Sequence, residues 1–187
     1  MVPKIREKVL LEESIVPDTA REAGVMALFF PNMKNETTLI LILRRTYKGV
    51  HSGQIGFPGG KKELYDKDLQ ETALRETFEE VGVRAGEIEV ICPMTKLYIP
   101  PSNFWIYPFI GITESTPRFK RQESEVERLL FISLEDFLNQ NNRKIQTISA
   151  SYAPEMEVPA FTLAGQTVWG ATAMALNELK YLLEHVI

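Results

Sequence analysis

The stretch Leu69-Gln70-Glu71-Thr72-Ala73-Leu74-Arg75-Glu76-Thr77-Phe78-Glu79-Glu80-Val81-Gly82-Val83 decides how this chain is read. Residues 68–81 carry helix formers without an interior glycine or proline, and Gly82 supplies a stop, so a helix is expected there. At about 100° per residue, Leu74, Phe78 and Val81 fall within about 60° of one another, which predicts the buried face. Glu76, Glu79 and Glu80 fall within about 100° on the other side, and Arg75 lies one turn from Glu79. Like charges at this spacing repel, but they make a good oxygen cage for a hard divalent cation. Taken alone, the pattern also suits an ordinary solvated acidic face.

Working outward, Gly56-Phe57-Pro58-Gly59-Gly60 precedes the helix. Two glycines without side chains let backbone approach a ligand, or let loop carbonyls such as that of Gly60 meet the helical carboxylates. From Thr37 to Lys62 there is no acid, but Arg44, Arg45, Lys48, Lys61 and Lys62 are present, a net +5. From Glu63 to Glu80 seven acids stand against Lys67 and Arg75, a net −5. A basic stretch running into an acidic one suits a site for phosphates and metal ions together; two solvated faces that neutralise each other are the plainer reading.

Apolar runs at 23–30 and 37–44, separated by the turn 31–35, read as a strand hairpin. Residues 88–98, 104–113 and 126–132 read as further strands, 134–139 as a short helix and 145–163 as a final strand or hairpin. The last helix covers about 169–186, with Trp169, Ala173, Leu176, Leu179 and Leu183 on one stripe. A surface helix is expected at 4–14, so residues 1–22 read as a helical extension and 23–187 as one domain. Strands mixed with helices before, between and after predict an α/β sandwich.

Composition narrows the function classes. Hydrophobic residues at 44% and charged residues at 25% exclude a disordered chain. No apolar run is long enough for a membrane helix. A net charge of −4 argues against nucleic acid as a partner. A single cysteine, Cys92, points to a reducing, cytoplasmic setting and reads as a core residue.

Arg75-Glu76-Thr77-Phe78-Glu79-Glu80-Val81-Gly82-Val83 with its upstream Gly-Gly resembles the Nudix box. That pattern is Gly, five residues, Glu, seven residues, Arg-Glu-aliphatic-x-Glu-Glu-x-Gly-aliphatic. Two positions depart from it: one extra residue lies between Gly60 and Arg75, so the first Glu falls at Asp66 or Lys67, and Thr77 replaces the aliphatic residue. The extra residue is similar to the coenzyme A subfamily. So are Leu41-Ile42-Leu43-Arg44-Arg45-Thr46, then His51-Ser52-Gly53-Gln54-Ile55-Gly56-Phe57-Pro58-Gly59-Gly60, Pro101-Ser102-Asn103 and Trp169-Gly170-Ala171-Thr172-Ala173. The subfamily's Arg before Gly-Gln is Gly49 here.

The resemblance implies an α/β/α sandwich with a mixed β-sheet between helices, and hydrolysis of a diphosphate linkage with Mg²⁺ or Mn²⁺. The substrate it implies is coenzyme A or a thioester; ADP-ribose or another nucleotide derivative is the alternative, and a non-catalytic nucleotide sensor is a third reading. It implies metal held by Gly60, Glu76, Glu79 and Glu80, chemistry involving Arg75, Glu76, Glu79 and a late-loop acid, Glu125 ahead of Glu123, and a homodimer. Arg44, Arg45, His51, Gly53, Gln54, Phe57 and Gly59 are the candidate substrate contacts, the cations for phosphate and Phe57 for a base.

Overall fold

The computed structural model describes residues 17–45, 53–150 and 153–185. The helix expected at 4–14, and the loop residues Lys48, Gly49 and His51, lie outside them.

The expected hairpin is present. Strand β1 (Arg21–Pro31) runs antiparallel to β2 (Thr37–Arg44), with Phe29 opposite Leu39. Both are buried over most of their length, because each carries apolar side chains to both faces of the sheet. The glycine-rich loop adds two short strands, β3 (Ile55–Gly56) on β2 and β4 (Gly59–Lys61) on the start of β1. Helix α1 (Leu69–Val81) follows. The predicted strand 88–98 is divided into β5 (Glu89–Pro93) and β6 (Leu97–Ile99), both pairing with β7 (Phe104–Ile112). Strand β7 lies parallel to β1 over nine residue pairs, from Arg21–Phe104 to Phe29–Ile112. Strand β8 (Val126–Ser133) covers the other side of β2. The result is a mixed sheet of eight strands.

Two apolar layers enclose that sheet. On one face Met26, Leu28, Phe30, Ile40 and Ile42 pack against Ala73 and Val81 of α1. On the other, Ala27, Phe29, Leu39 and Leu41 meet Phe137 of helix α2 (Leu134–Leu138) and Ala173, Leu176 and Leu179 of helix α3 (Gly170–Glu184). This is the expected α/β/α sandwich, and the stripe predicted for the last helix is its buried side. The final hairpin, β9 (Arg143–Ala150) and β10 (Ala153–Leu163), joins a strand that the sequence reading missed, β11 (Gln166–Val168), in a separate three-stranded sheet. Cys92 is half-buried on the edge strand β5 rather than in the core. Among the described residues no helix is long and apolar enough to cross a membrane.

One close contact sets the position of α1. A Cβ on Gly24 of β1 would lie 2.2 Å from the Leu69 carbonyl oxygen and 2.9 Å from the Ala73 nitrogen. The helix therefore rests directly on the strand backbone, which only glycine allows.

Candidate active site

Helix α1 is fixed at both ends. Asp68 is its N-cap and accepts a hydrogen bond from the Glu71 N–H at 2.8 Å. Gly82 closes it in the left-handed conformation at φ 82°, donating to the Phe78 carbonyl at 2.9 Å. The Lys120 and Gln122 N–H groups then donate to the Val81 and Glu80 carbonyls at 2.9 and 3.0 Å. These bonds tie the loop that carries Glu125 to the end of the helix.

The buried face differs from the one expected. Phe78 is 50% exposed and Leu74 only half-buried, whereas Thr72, Ala73, Thr77, Glu80 and Val81 are buried. Large side chains cannot occupy a helix face that touches strand backbone at Gly24, so small residues do. Thr77 fits where an aliphatic residue was expected because its methyl packs and its hydroxyl donates to the Ala73 carbonyl at 2.6 Å.

Glu80, 1% exposed, sits in the middle of this inward face. Its Oε2 accepts from the Gly59 N–H at 2.7 Å, and its Oε1 accepts from Arg44 Nη1 at 3.0 Å. Arg44 Nη2 also donates to the Gly59 carbonyl at 2.6 Å. Burial pushes the Glu80 carboxyl up to about 7, against the pull of Arg44 and the Gly59 N–H, with the charges of Glu76 and Glu125 adding to the rise. Glu76 is likewise raised, first by burial and against Arg75, with Glu79 and Glu125 contributing. Its carboxylate lies on Gly60, where a Cβ would fall 2.5 Å from Cδ. The second glycine of the pair thus makes room for a carboxylate beside backbone.

Arg75 is the organiser of this surface. It donates from Nε to Asp66 Oδ1 and from Nη2 to Asp66 Oδ2, both at 2.9 Å, a two-pronged pair. Its Nη1 reaches Glu76 at 2.8 Å and Glu79 at 3.1 Å, and its Nη2 reaches the Lys61 carbonyl at 3.1 Å. The expected Arg75–Glu79 contact exists, but Asp66 is the principal partner. Asp66 is 5% exposed and also accepts from the Thr72 hydroxyl and the Glu63 N–H, at 2.9 Å each. Hydrogen bonding to Arg75, opposed by burial, holds its carboxyl well below the usual carboxylate range. Of the two positions left open for the first acid, Asp66 turns inward while Lys67 is exposed and pairs with Glu71.

Glu76, Glu79, Glu80 and Glu125 are an oxygen-only, anionic set, and the charges of its other members add to the rise at Glu76 and Glu80, which suits a hard cation such as Mg²⁺ or Mn²⁺. Among the described residues no three His, Cys, Asp or Glu side chains are already gathered as a cage; Glu80 is turned to Arg44 and Glu79 to Arg75. Glu123, the other late-loop acid, pairs with Arg121 at 3.6 Å instead.

A model of the NUDIX domain matches residues 20–152. The chain belongs to the Nudix family. It is 33% identical over 144 residues to a Yersinia enterocolitica protein named "Uncharacterized Nudix hydrolase NudL", covering 77% of this chain and 73% of that protein. A Yersinia pestis protein of the same name is 29% identical over 173 residues, or 92% of this chain and 85% of its own length. Among solved structures, the Nudix hydrolase RenU of M. smegmatis aligns with a TM-score of 0.61 at 13% identity, over 90% of this chain and 88% of that one. At that identity the likeness shows the fold alone. The chain is thus a Nudix hydrolase acting on diphosphate linkages of small molecules.

Within this Nudix fold the candidate substrate contacts separate. Arg44 faces Glu80, and Gly59 bonds Glu80 through its backbone, so both belong to the carboxylate cluster. Phe57 is 4% exposed in the α3-side core and offers no open face for stacking a base, which corrects its expected role. Arg45 is exposed, 3.5 Å from Glu127, and its N–H donates to the Glu125 carbonyl at 2.8 Å. Gly53 turns the chain at φ 66°, and the Gln54 carbonyl accepts from the Arg44 N–H at 3.0 Å. A cleft of about 750 Å³ opens beside Asp66, with Arg21, Lys62, Lys96 and Trp105 in its wall. Sequence reading had not marked it, because its lining comes from four separate segments.

Proposed function

We propose that this Nudix hydrolase cleaves the diphosphate bridge of coenzyme A or its thioesters, giving 3′,5′-ADP and 4′-phosphopantetheine or its acyl form. The observation that carries the diphosphate chemistry is the set of carboxylates on α1 set against Gly60 and ordered by Arg75. The coenzyme A assignment is supported by the landmarks from Gly53-Gln54 to Gly59-Gly60 and beyond, and by the cation-rich segment 37–62. The cleft beside Asp66 is of ligand size, and its wall sets Arg21, Lys61, Lys62 and Lys96 among Asp18, Glu22, Glu63 and Asp66.

In this reading Glu76, Glu79, Glu80 and the Gly60 carbonyl hold Mg²⁺ or Mn²⁺, with Glu125 completing the set. When bound, the ion offsets charge on the phosphate oxygens and lowers the pKa of water. Arg75 holds Glu76 and Glu79 in place, with Asp66 behind it. One of Glu76, Glu79 and Glu80, or the late-loop Glu125, takes the attacking water's proton. Arg45, Gly53 and Gln54, with His51 outside the described residues, would contact the substrate phosphates. The setting is cytoplasmic, and a second copy of the chain is the expected partner.

Gly49, where the coenzyme A subfamily carries Arg, favours ADP-ribose as the second reading. Mass analysis of products from coenzyme A, dephospho-coenzyme A and ADP-ribose with Mg²⁺ or Mn²⁺ separates the two. The expected order places coenzyme A first, with dephospho-coenzyme A losing the share of a charge-assisted contact, about 1.5–3 kcal/mol. A kcat/KM for ADP-ribose equal to or above that for coenzyme A refutes the coenzyme A assignment and leaves the Nudix chemistry intact.

A further inference from the structure

Arg44, which the sequence offers as a phosphate contact, is held by its strand against a carboxylate. Along β2, Ile40 and Ile42 point to the α1 face and Leu39 and Leu41 to the other, so Arg44 continues the α1-facing row. The β2–β8 pairing also slips between Leu43 and Arg44: Leu43 is opposite Arg128 and Arg44 opposite Val126. The extra residue, Glu127, lies on β8, so the alternation of β2 carries through to Arg44. The guanidinium ends between Glu80 Oε1, at 3.0 Å, and the Gly59 carbonyl, at 2.6 Å. With the Gly59 N–H on Oε2 at 2.7 Å, both Glu80 oxygens are engaged. Glu80 is therefore ion-paired and hydrogen-bonded by the protein itself, among the carboxylates that would hold a cation.

We infer that Arg44 is a resident counter-ion latch: it occupies Glu80 in the metal-free protein and must release it when a divalent cation binds. The inference rests on the metal reading above. A buried carboxylate needs one positive partner, and two cations on the same oxygens repel at short range. Binding of the ion and the Arg44–Glu80 contact are thus alternatives. Release leaves the Arg44 charge beside Gly59, where the phosphates of a bound diphosphate would meet it. The latch ties readiness for an anionic substrate to occupancy by metal.

Direct Mn²⁺ binding tests this without turnover, by electron paramagnetic resonance of the free ion at pH 8. Arg44→Ala and Arg44→Gln are expected to bind Mn²⁺ about tenfold more tightly than the unmodified protein. Arg45→Ala, which removes a nearby charge that does not touch Glu80, should change affinity less than twofold. Unchanged or weaker binding in both Arg44 variants overturns the latch, as does equal tightening by Arg45→Ala. In the unmodified protein, the Arg44 side-chain N–H resonances should shift and exchange faster on saturation with Mg²⁺; if they stay fixed, the latch is overturned even where the variants do not fold. An unmodified protein that binds no Mn²⁺ overturns both the latch and the metal reading. Tight binding with unmoved Arg44 signals sinks the latch alone.

Discussion

At the scale of single residues, carboxyls displaced in opposite directions, Glu80 and Glu76 upward and Asp66 downward, govern how stability should follow pH. Glu80 is raised from 4.5 to about 7, so the folded protein holds that proton more firmly than the unfolded chain. Its contribution is full below pH 4.5 and is lost as pH rises through 7, by about 3 kcal/mol at most. Asp66, held below its ordinary 3.8 by Arg75, works the other way: its contribution is full above that pH and is lost as pH falls. Metal-free protein should therefore lose melting temperature between pH 5 and pH 8, and Mg²⁺ should cancel that loss by taking the proton's place. A melting temperature flat across that range, with and without Mg²⁺, would contradict the placement of Glu80. Arg75 carries a separate expectation. Arg75→Ala leaves Asp66 buried without its two-pronged partner, at a stability cost of about 1–3 kcal/mol, and frees Glu76 and Glu79. Turnover should fall more than KM rises; a large KM increase at constant kcat would instead make Arg75 a substrate contact. Asp66 was legible in the sequence only as one of two options, because the extra residue before Arg75 hides which side chain turns inward.

At the scale of elements, two glycines under α1 give contrasting tests. Gly24→Ala drives a methyl into helix backbone, which cannot yield, and should cost about 1–3 kcal/mol or more in urea unfolding. Gly60→Ala meets only the far end of the Glu76 side chain, so the fold should survive while turnover collapses. The same element shows which face is buried. Phe78→Ala should change stability by less than about 0.5 kcal/mol, whereas Val81→Ala, at a fully buried position, should cost about 1–3 kcal/mol. The reverse result would restore the Leu74–Phe78 face as the buried one. The ends of α1 were legible in the sequence because Asp68 and Gly82 act within one turn. Its buried face was not, because hydrophobicity does not register that a helix resting on glycine backbone must bury small residues.

For the whole molecule, the metal reading predicts that a chelator abolishes turnover and that Mg²⁺ or Mn²⁺ restores it. Glu79→Gln and Glu80→Gln should each lower kcat by a factor on the order of 100 with the fold intact; near-normal turnover in both would end the metal assignment. The sequence by itself determined the β1–β2 hairpin, the α1 acids and their Arg75, the glycine pair and the α3 stripe, since capping, alternation and helical spacing operate over a few residues. Only the tertiary structure decided that Glu80 turns inward, that Asp66 holds Arg75, that Arg44 serves a carboxylate, and that β9, β10 and β11 form a sheet of their own. Those outcomes depend on partners far apart in the chain, 36 residues for Arg44 and Glu80 and 21 for Gly59 and Glu80. A buried charge is admitted only where the fold brings such a partner to it, and no local pattern records that meeting.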